Sequence, residues 1–349
     1  MHFMAQWCFI CAGKRYWMAE PMISIIIPVY NAGSYLDACF ASLKNADPQK
    51  VEIVLVDDGS DDGSAQKCDD FAKERGSVRV IHKQNGGSAA ARNDGIRTAG
   101  GEYLMFCDAD DHIDPCAFEQ VLRIIDEAHP DLIIYNAFEE RGKESARLFS
   151  PQLFEEGKLK EKARLFDNYL MTYYLNPMWV KACKKELFSI SDFTGESISN
   201  LGDDFVETAP LLKRSKDIYY LDKPLYYYRV DTGMMRKTHR DYFDSYLAAN
   251  KKVKKILKEE RIADLEEKLA VHLMHAAYGA VIQYRFDTSF DRDNVLRVSQ
   301  DPDFRKAFEL VSFARYKEFI PQKERLIVSL LYKGRIRALQ WIVSLKRVI

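Results

Sequence analysis

Two short runs of this 349-residue chain concentrate carboxylates where an apolar stretch stops. Asp57-Asp58-Gly59-Ser60 follows Val51 to Val56, and Asp108-Ala109-Asp110-Asp111 follows Tyr103 to Cys107. Carboxylates this close repel one another and are costly to hold together without a cation. An Asp-x-Asp turn after a strand can aim two oxygens at a hard divalent ion that also touches a diphosphate, which makes Asp110 a candidate ligand for Mn2+ or Mg2+. Asp61 and Asp62 stand just before a helical stretch and read instead as loop and capping residues. Gly86-Gly87-Ser88 opens another helix. Its glycines allow close backbone approach, and a helix N-terminus favours an anion. Arg92, one turn further on, either reaches a phosphate or pairs with an acidic residue. Neither a GxGxxG dinucleotide fingerprint nor a GxxxxGKS/T phosphate loop is present.

These groups need a scaffold that brings strand ends together. Ile23 to Tyr30, Val51 to Val56, Val78 to His82, Tyr103 to Cys107 and Leu132 to Tyr135 are short apolar, β-branched runs expected to be strands. Helical stretches lie between them: about Ser34 to Lys44, Ser64 to Arg75, Ser88 to Thr98, and one opened by Pro115. Alternation at this spacing predicts an α/β fold, a mostly parallel twisted sheet with helices on both faces. Ligands of such sheets bind outside the carboxyl ends of the strands, where the polar motifs fall. Beyond about Gly157 helices dominate, with an aromatic-rich strand pair expected near Ile218 to Arg229 and two long helices between Phe243 and Phe286.

The motifs together resemble those of family 2 glycosyltransferases. The match runs through Ile25-Ile26-Ile27-Pro28-Val29-Tyr30-Asn31, Val56-Asp57-Asp58-Gly59-Ser60, Asn85-Gly86-Gly87 with Ala91-Arg92-Asn93, and Asp108-Ala109-Asp110-Asp111, in the family's order and spacing. The resemblance implies the glycosyltransferase A-type fold of nucleotide-diphospho-sugar transferases and an inverting mechanism on a donor expected to be UDP-linked. It implies that Pro28, Tyr30 and Asp58 lie against the nucleoside, with Asn31, Asp57, Gly86 and Arg92 in the same donor site. Asp108 is expected near the ribose, and Asp110 on the Mn2+ or Mg2+ at the diphosphate. More loosely, Trp179-Val180-Lys181 and Lys184-Lys185-Glu186-Leu187-Phe188 are similar to a later family segment, with Val180 where Asn is usual. Gly202-Asp203-Asp204-Phe205 is similar to the Gly-Glu-Asp motif, which makes Asp204 the expected catalytic base and Asp203 its support. Both also suit helix capping. Tyr228-Arg229 resembles the segment near the diphosphate, although Gly233 stands where a serine is usual.

The expected organisation is a leader over residues 1–21, a catalytic domain over 22–230 with its nucleotide half at 22–140 and acceptor half at 141–230, and a helical region over 231–349. A formal net charge of -1 suggests no nucleic-acid partner. Seven scattered cysteines point to free thiols and a reducing compartment, and Cys8 and Cys11 form a lone CxxC. With no spanning apolar stretch, the expectation is a cytoplasmic protein, peripheral on the inner face of the cell membrane. In the 317–349 tail, Lys317, Lys323, Arg325, Lys333, Arg335, Arg337, Lys346 and Arg347 face only Glu318 and Glu324. Ile327, Leu330, Leu331, Ile336, Leu339, Ile342 and Val343 recur there at helical spacing. That pattern suits either a helix lying on an anionic membrane or a terminal helix packed on its own domain. The expected acceptor is a glycan or a lipid-linked sugar. The rival readings are a sugar-nucleotide pyrophosphorylase and a non-catalytic surface-binding protein that retains the fold.

Overall fold

The structure is a computed structural model and describes residues 21–141, 145–189, 201–230, 238–287 and 289–345. The leader, Cys8, Cys11, Gly233, Lys346 and Arg347 lie outside the described residues.

Five strands follow the apolar runs closely: β1 (Ile23–Val29), β2 (Val51–Asp57), β3 (Val78–His82), β4 (Tyr103–Phe106) and β6 (Leu132–Arg141), the last longer than expected. Helices α1 (Leu36–Leu43), α2 (Ser64–Glu74), α3 (Ser88–Thr98) and α4 (Ala117–Ala128) connect them. The short strand β5 (His112–Ile113) follows β4. Strands β7 (Ser145–Leu148), β8 (Gly157–Lys158), β9 (Lys181–Lys184) and β10 (Ile218–Arg229) complete the sheet. Its order is β3-β2-β1-β4-β9-β6-β10-β5, with β7 on β6 and β8 on β10. The β3-β2-β1-β4 half is parallel, as is the β6–β10 pair, whereas β9 runs antiparallel between β4 and β6. The expected strand pair near residue 218 is one strand. Register shifts flank Pro224, which has no N–H to give the ladder.

The central strands β1, β2 and β4 are buried on both faces. Ile26, Val54 and Val56 join one apolar cluster, and Ile25, Ile27, Ile53 and Leu55 the other, as the two-residue strand period requires. The first cluster continues into the helical half, made of α5 (Lys162–Met171), α6 (Asp203–Arg214), α7 (Tyr242–Leu257), α8 (Leu265–Ile282), α9 (Arg292–Gln300), α10 (Pro302–Leu310), α11 (Gln322–Tyr332) and α12 (Ile336–Leu345). Of the two readings of the tail, packing on its own domain accounts for most of the apolar stripe. Ile327, Leu331, Ile336, Leu339 and Val343 are buried in this cluster, and Leu330 and Ile342 are partly so. The apolar side chains left outside are Leu326, Trp341 and Leu345, at 55%, 65% and 45% exposure. No helix among the described residues is long and apolar enough to cross a membrane.

Candidate active site

The donor side is assembled at the carboxyl ends of β1 and β2. Asn31 takes a positive φ of 48° just past β1, a conformation asparagine tolerates better than most residues. Its N–H donates to Ser60 Oγ and its Oδ1 accepts from the Asp61 N–H, which ties the two strand ends together. Pro28 sits in β1 opposite Val56, and the Tyr30 ring is exposed at this rim. Asp62 accepts from Gly33 N–H and from the N–H and Oγ of Ser64, the first residue of α2. Gly59, at φ 77°, packs so closely on the Asn85 backbone that a side chain would be strained on both counts.

Asp57 and Asp58 divide the structural work. Asp57 accepts from Ser60 N–H and meets His82 Nδ1 at 2.9 Å, and the other ring nitrogen of His82 meets Asp69. Burial pushes the Asp57 carboxyl up, but the hydrogen bonds from His82 and Ser60 outweigh it and hold the group below its ordinary value. Asp58 is buried and accepts from Lys83 Nζ at 2.6 Å and from the N–H groups of Gly86 and Gly87. It therefore shapes the glycine loop that precedes α3, and Gly86 reaches the site as part of that loop.

Past β4, three aspartates in four positions take different roles. Asp111 is buried and satisfied: Tyr226 donates to one oxygen at 2.7 Å and Arg229 N–H to the other at 2.8 Å. The side chains of Asp108 and Asp110 take no hydrogen bond from the described residues. Burial, then repulsion from Asp110, pushes Asp108 up to about 7 against the attraction of Arg92. Arg229 lies beside this turn, its Nη1 donating to the Asp110 carbonyl at 3.1 Å and its Nε 3.7 Å from Glu140.

The third group of carboxylates arrives on α6. Gly202, at φ 85°, ends the preceding loop, and Asp203 and Asp204 open the helix. Arg92 of α3 reaches across to them. Of the two roles that the sequence left open, the pairing with acidic residues is present: its guanidinium is buried among carboxylates. Nη2 donates to Asp203 Oδ2 at 2.6 Å, Nε donates to Glu207 Oε2 at 3.0 Å, and Asp204 Oδ1 lies 3.1 Å from Nη2. Burial alone would make Arg92 easier to deprotonate, but Glu207, Asp203, Asp204 and Asp108 hold it well above its ordinary value. Asp203 is saturated, since Ser88 Oγ also donates to Oδ2 and Asp204 N–H to Oδ1. Asp204 is only partly covered. Burial pushes it up to about 6, moderated first by Arg92. That value suits a group that must accept a proton near neutral pH.

Comparison with known proteins agrees with this geometry. Residues 24–184 match the model of Glycosyl transferase family 2. The chain is 31% identical over 236 residues to the glycosyltransferase EpsH of Bacillus subtilis, covering 66% of this chain and 67% of EpsH. The chain belongs to glycosyl transferase family 2. A more distant relative, the poly(ribitol-phosphate) beta-glucosyltransferase of Bacillus spizizenii, is 26% identical over 307 residues, covering 83% of this chain and 44% of that protein. The crystal structure of S. aureus TarS 1–349 in complex with UDP-GlcNAc has the same fold, with a TM-score of 0.63 at 21% identity over 90% of this chain and 88% of that one.

Within this family 2 glycosyltransferase, the sequence-derived residues Asp58, Gly86, Arg92, Asp203 and Asp204 are linked through the glycine loop and Ser88, Asp108 acts on them through its charge, and Arg229 bonds to the Asp110 carbonyl. Glu207 and Lys181 were not picked out as site residues from the sequence. Glu207 is three and four positions beyond Asp204 and Asp203, hence on the same helix face, which is a legible signal. Lys181 is fully buried and donates to the carbonyls of Asn176 and Pro177. Burial pulls its ammonium down to about 7. The donor set fits a divalent ion in one way only. Among the described residues no three acidic, histidine or cysteine side chains gather around one point. Asp108 and Asp110 could supply one or two oxygens, and substrate phosphates and water would complete the shell, as Mg2+ sites commonly require.

Proposed function

We propose that this glycosyltransferase moves a sugar, with inversion, from a UDP-sugar to a hydroxyl of a glycan or lipid-linked acceptor in cell-surface polysaccharide synthesis. The observation that carries the reading is the state of Asp204: a partly open carboxylate raised to about 6, within electrostatic reach of the Asp108 turn. Asp204 takes the proton from the acceptor hydroxyl as that oxygen forms its bond to the anomeric carbon. The bond from that carbon to the diphosphate oxygen breaks on the opposite face, and UDP leaves with the electron pair. Asp110 would hold Mn2+ or Mg2+, which would supply positive charge to the leaving diphosphate. Arg229, beside Asp110, adds positive charge on the same side. Exposed Tyr30 at the β1 rim offers a face on which a nucleobase can stack, while Pro28 and Asn31 set the backbone of that rim. Support for the donor class comes from TarS, whose structure holds UDP-GlcNAc. The polysaccharide context follows the poly(ribitol-phosphate) beta-glucosyltransferase relative.

A panel of UDP-, GDP- and dTDP-sugars, each with and without Mn2+, tests the proposal by nucleotide release. UDP release from one or more UDP-sugars is expected, and it should fall when the metal is chelated. A product formed only from a nucleoside triphosphate and a sugar phosphate would instead identify a pyrophosphorylase.

A further inference from the structure

Glu207 is a buried-side carboxylate that the proposed chemistry does not use. It shares the Arg92 guanidinium with Asp203 and Asp204, and the three claims on that guanidinium are unequal. Nε and Nη2 direct hydrogen bonds at Glu207 and Asp203. Asp204 Oδ1 lies 3.1 Å from Nη2. That approach is out of line for a hydrogen bond, and this shielded oxygen has no hydrogen-bond partner. Asp204 therefore feels the positive charge without a directed bond from it.

We propose that Glu207 is a positioning residue that keeps Asp204 basic by holding the Arg92 fork out of line with it. The inference rests on the reading of Asp204 as the base. A guanidinium placed squarely on a carboxylate lowers its proton affinity by about 1–3 pH units. Glu207 opposes this in two ways. It anchors Nε, so the fork is turned towards Asp203, and it adds negative charge beside the base. The other charged and titratable groups facing Asp204 are Asp203 on α6, Arg92 on α3, Lys181 on β9, Asp108 past β4 and Tyr246 on α7. Ser88 and the backbone fix Asp203, and two carbonyls hold Lys181. Glu207 thus bears on the base through its hold on Arg92. Burial, with Asp203 and Asp204, pushes its own carboxyl up, while the charge and hydrogen bond of Arg92 favour its ionised form.

The test is the pH profile of kcat/KM for UDP release in the full chain, with Mn2+ and whichever UDP-sugar the donor panel identifies. Glu207→Gln keeps the shape and the acceptor for Nε but removes the charge, and Glu207→Leu removes both. Glu207→Leu should move the acid limb down by about one pH unit, and Glu207→Gln, which keeps the Nε anchor, by a smaller step in the same direction, each with a several-fold lower plateau and unchanged affinity for UDP. Either variant that folds decides the matter. Glu207→Asp, which retains the charge, should return the limb towards its parental position. An acid limb unmoved or raised in the charge-free variants overturns the proposal, whatever their rate. The underlying reading fails separately: it falls if Asp204→Asn keeps its activity.

Discussion

At the residue scale, one site holds carboxylates in opposite conditions. Asp57 and Asp58 are buried but paid for in hydrogen bonds, whereas Asp108 is half-buried near Asp110 with none from the described residues. The ionised form of Asp108 is therefore unfavourable in the folded protein. Its folded value, about 7, lies above its ordinary value of 3.8. Protonation favours folding at low pH, and that contribution is lost as pH rises from 3.8 through about 7. Asp108→Asn should consequently raise Tm in metal-free buffer, more at pH 8 than at pH 5, while lowering UDP-sugar turnover. Thermal melts at the two pH values check it; an equal or reversed gain would show that Asp108 is not strained by its charge. The sequence made Asp57, Asp58, Asp108 and Asp110 stand out because each cluster follows an apolar run. It left the partner of Arg92 open, because Asp203 and Glu207 lie more than a hundred positions away and meet it only through packing.

At the element scale, α3 links the donor loop to the base helix. It starts at the glycine loop shaped by Asp58, carries Ser88 and Arg92 to α6, and lies against β1. The approach to β1 depends on Gly95, where a Cβ would fall inside contact distance of Ile26 Cγ2 and tight against Val56. Gly95→Ala gains helix propensity but overpacks a rigid contact, which typically costs about 1–3 kcal/mol. A net loss of stability in chemical denaturation is expected, with weaker UDP binding as α3 shifts. Unchanged stability would mean that the α3–β1 spacing can relax. Strands β1, β2 and β4 were legible because each is a nearly continuous apolar run that is buried on both faces. Strand β9 was not: Lys181-Ala182-Cys183-Lys184 has neither an apolar run nor a clean alternation, and its place between β4 and β6 is set by tertiary pairing.

At the scale of the whole molecule, the helical half and the sheet share an apolar cluster, and the tail helices belong to it. Helical periodicity identified the tail's apolar stripe but could not say whether lipid or protein covers it. Protein covers most of it. Leu339→Ala should therefore destabilise the protein by about 2–5 kcal/mol, as for other buried leucines. Trp341→Ala, on the outer face with Arg337 and Leu345, should change stability by no more than about 0.5 kcal/mol. We predict that attraction of the tail to an anionic membrane, where it occurs, comes from that outer face. Co-sedimentation with anionic vesicles should drop for Trp341→Ala and fall further in high salt. Equal binding by parent and variant would exclude this face as the contact.

The central claim is that Asp204 removes the acceptor proton while the rest of the site holds the donor. Asp204→Asn preserves size and the helix start but cannot take that proton. With a UDP-sugar, Mn2+ and an acceptor, its turnover is expected to fall by about two or more orders of magnitude, while UDP affinity by calorimetry stays within a few-fold of the parent. Near-parental turnover, or a loss of UDP binding that matches the loss of rate, would contradict the claim.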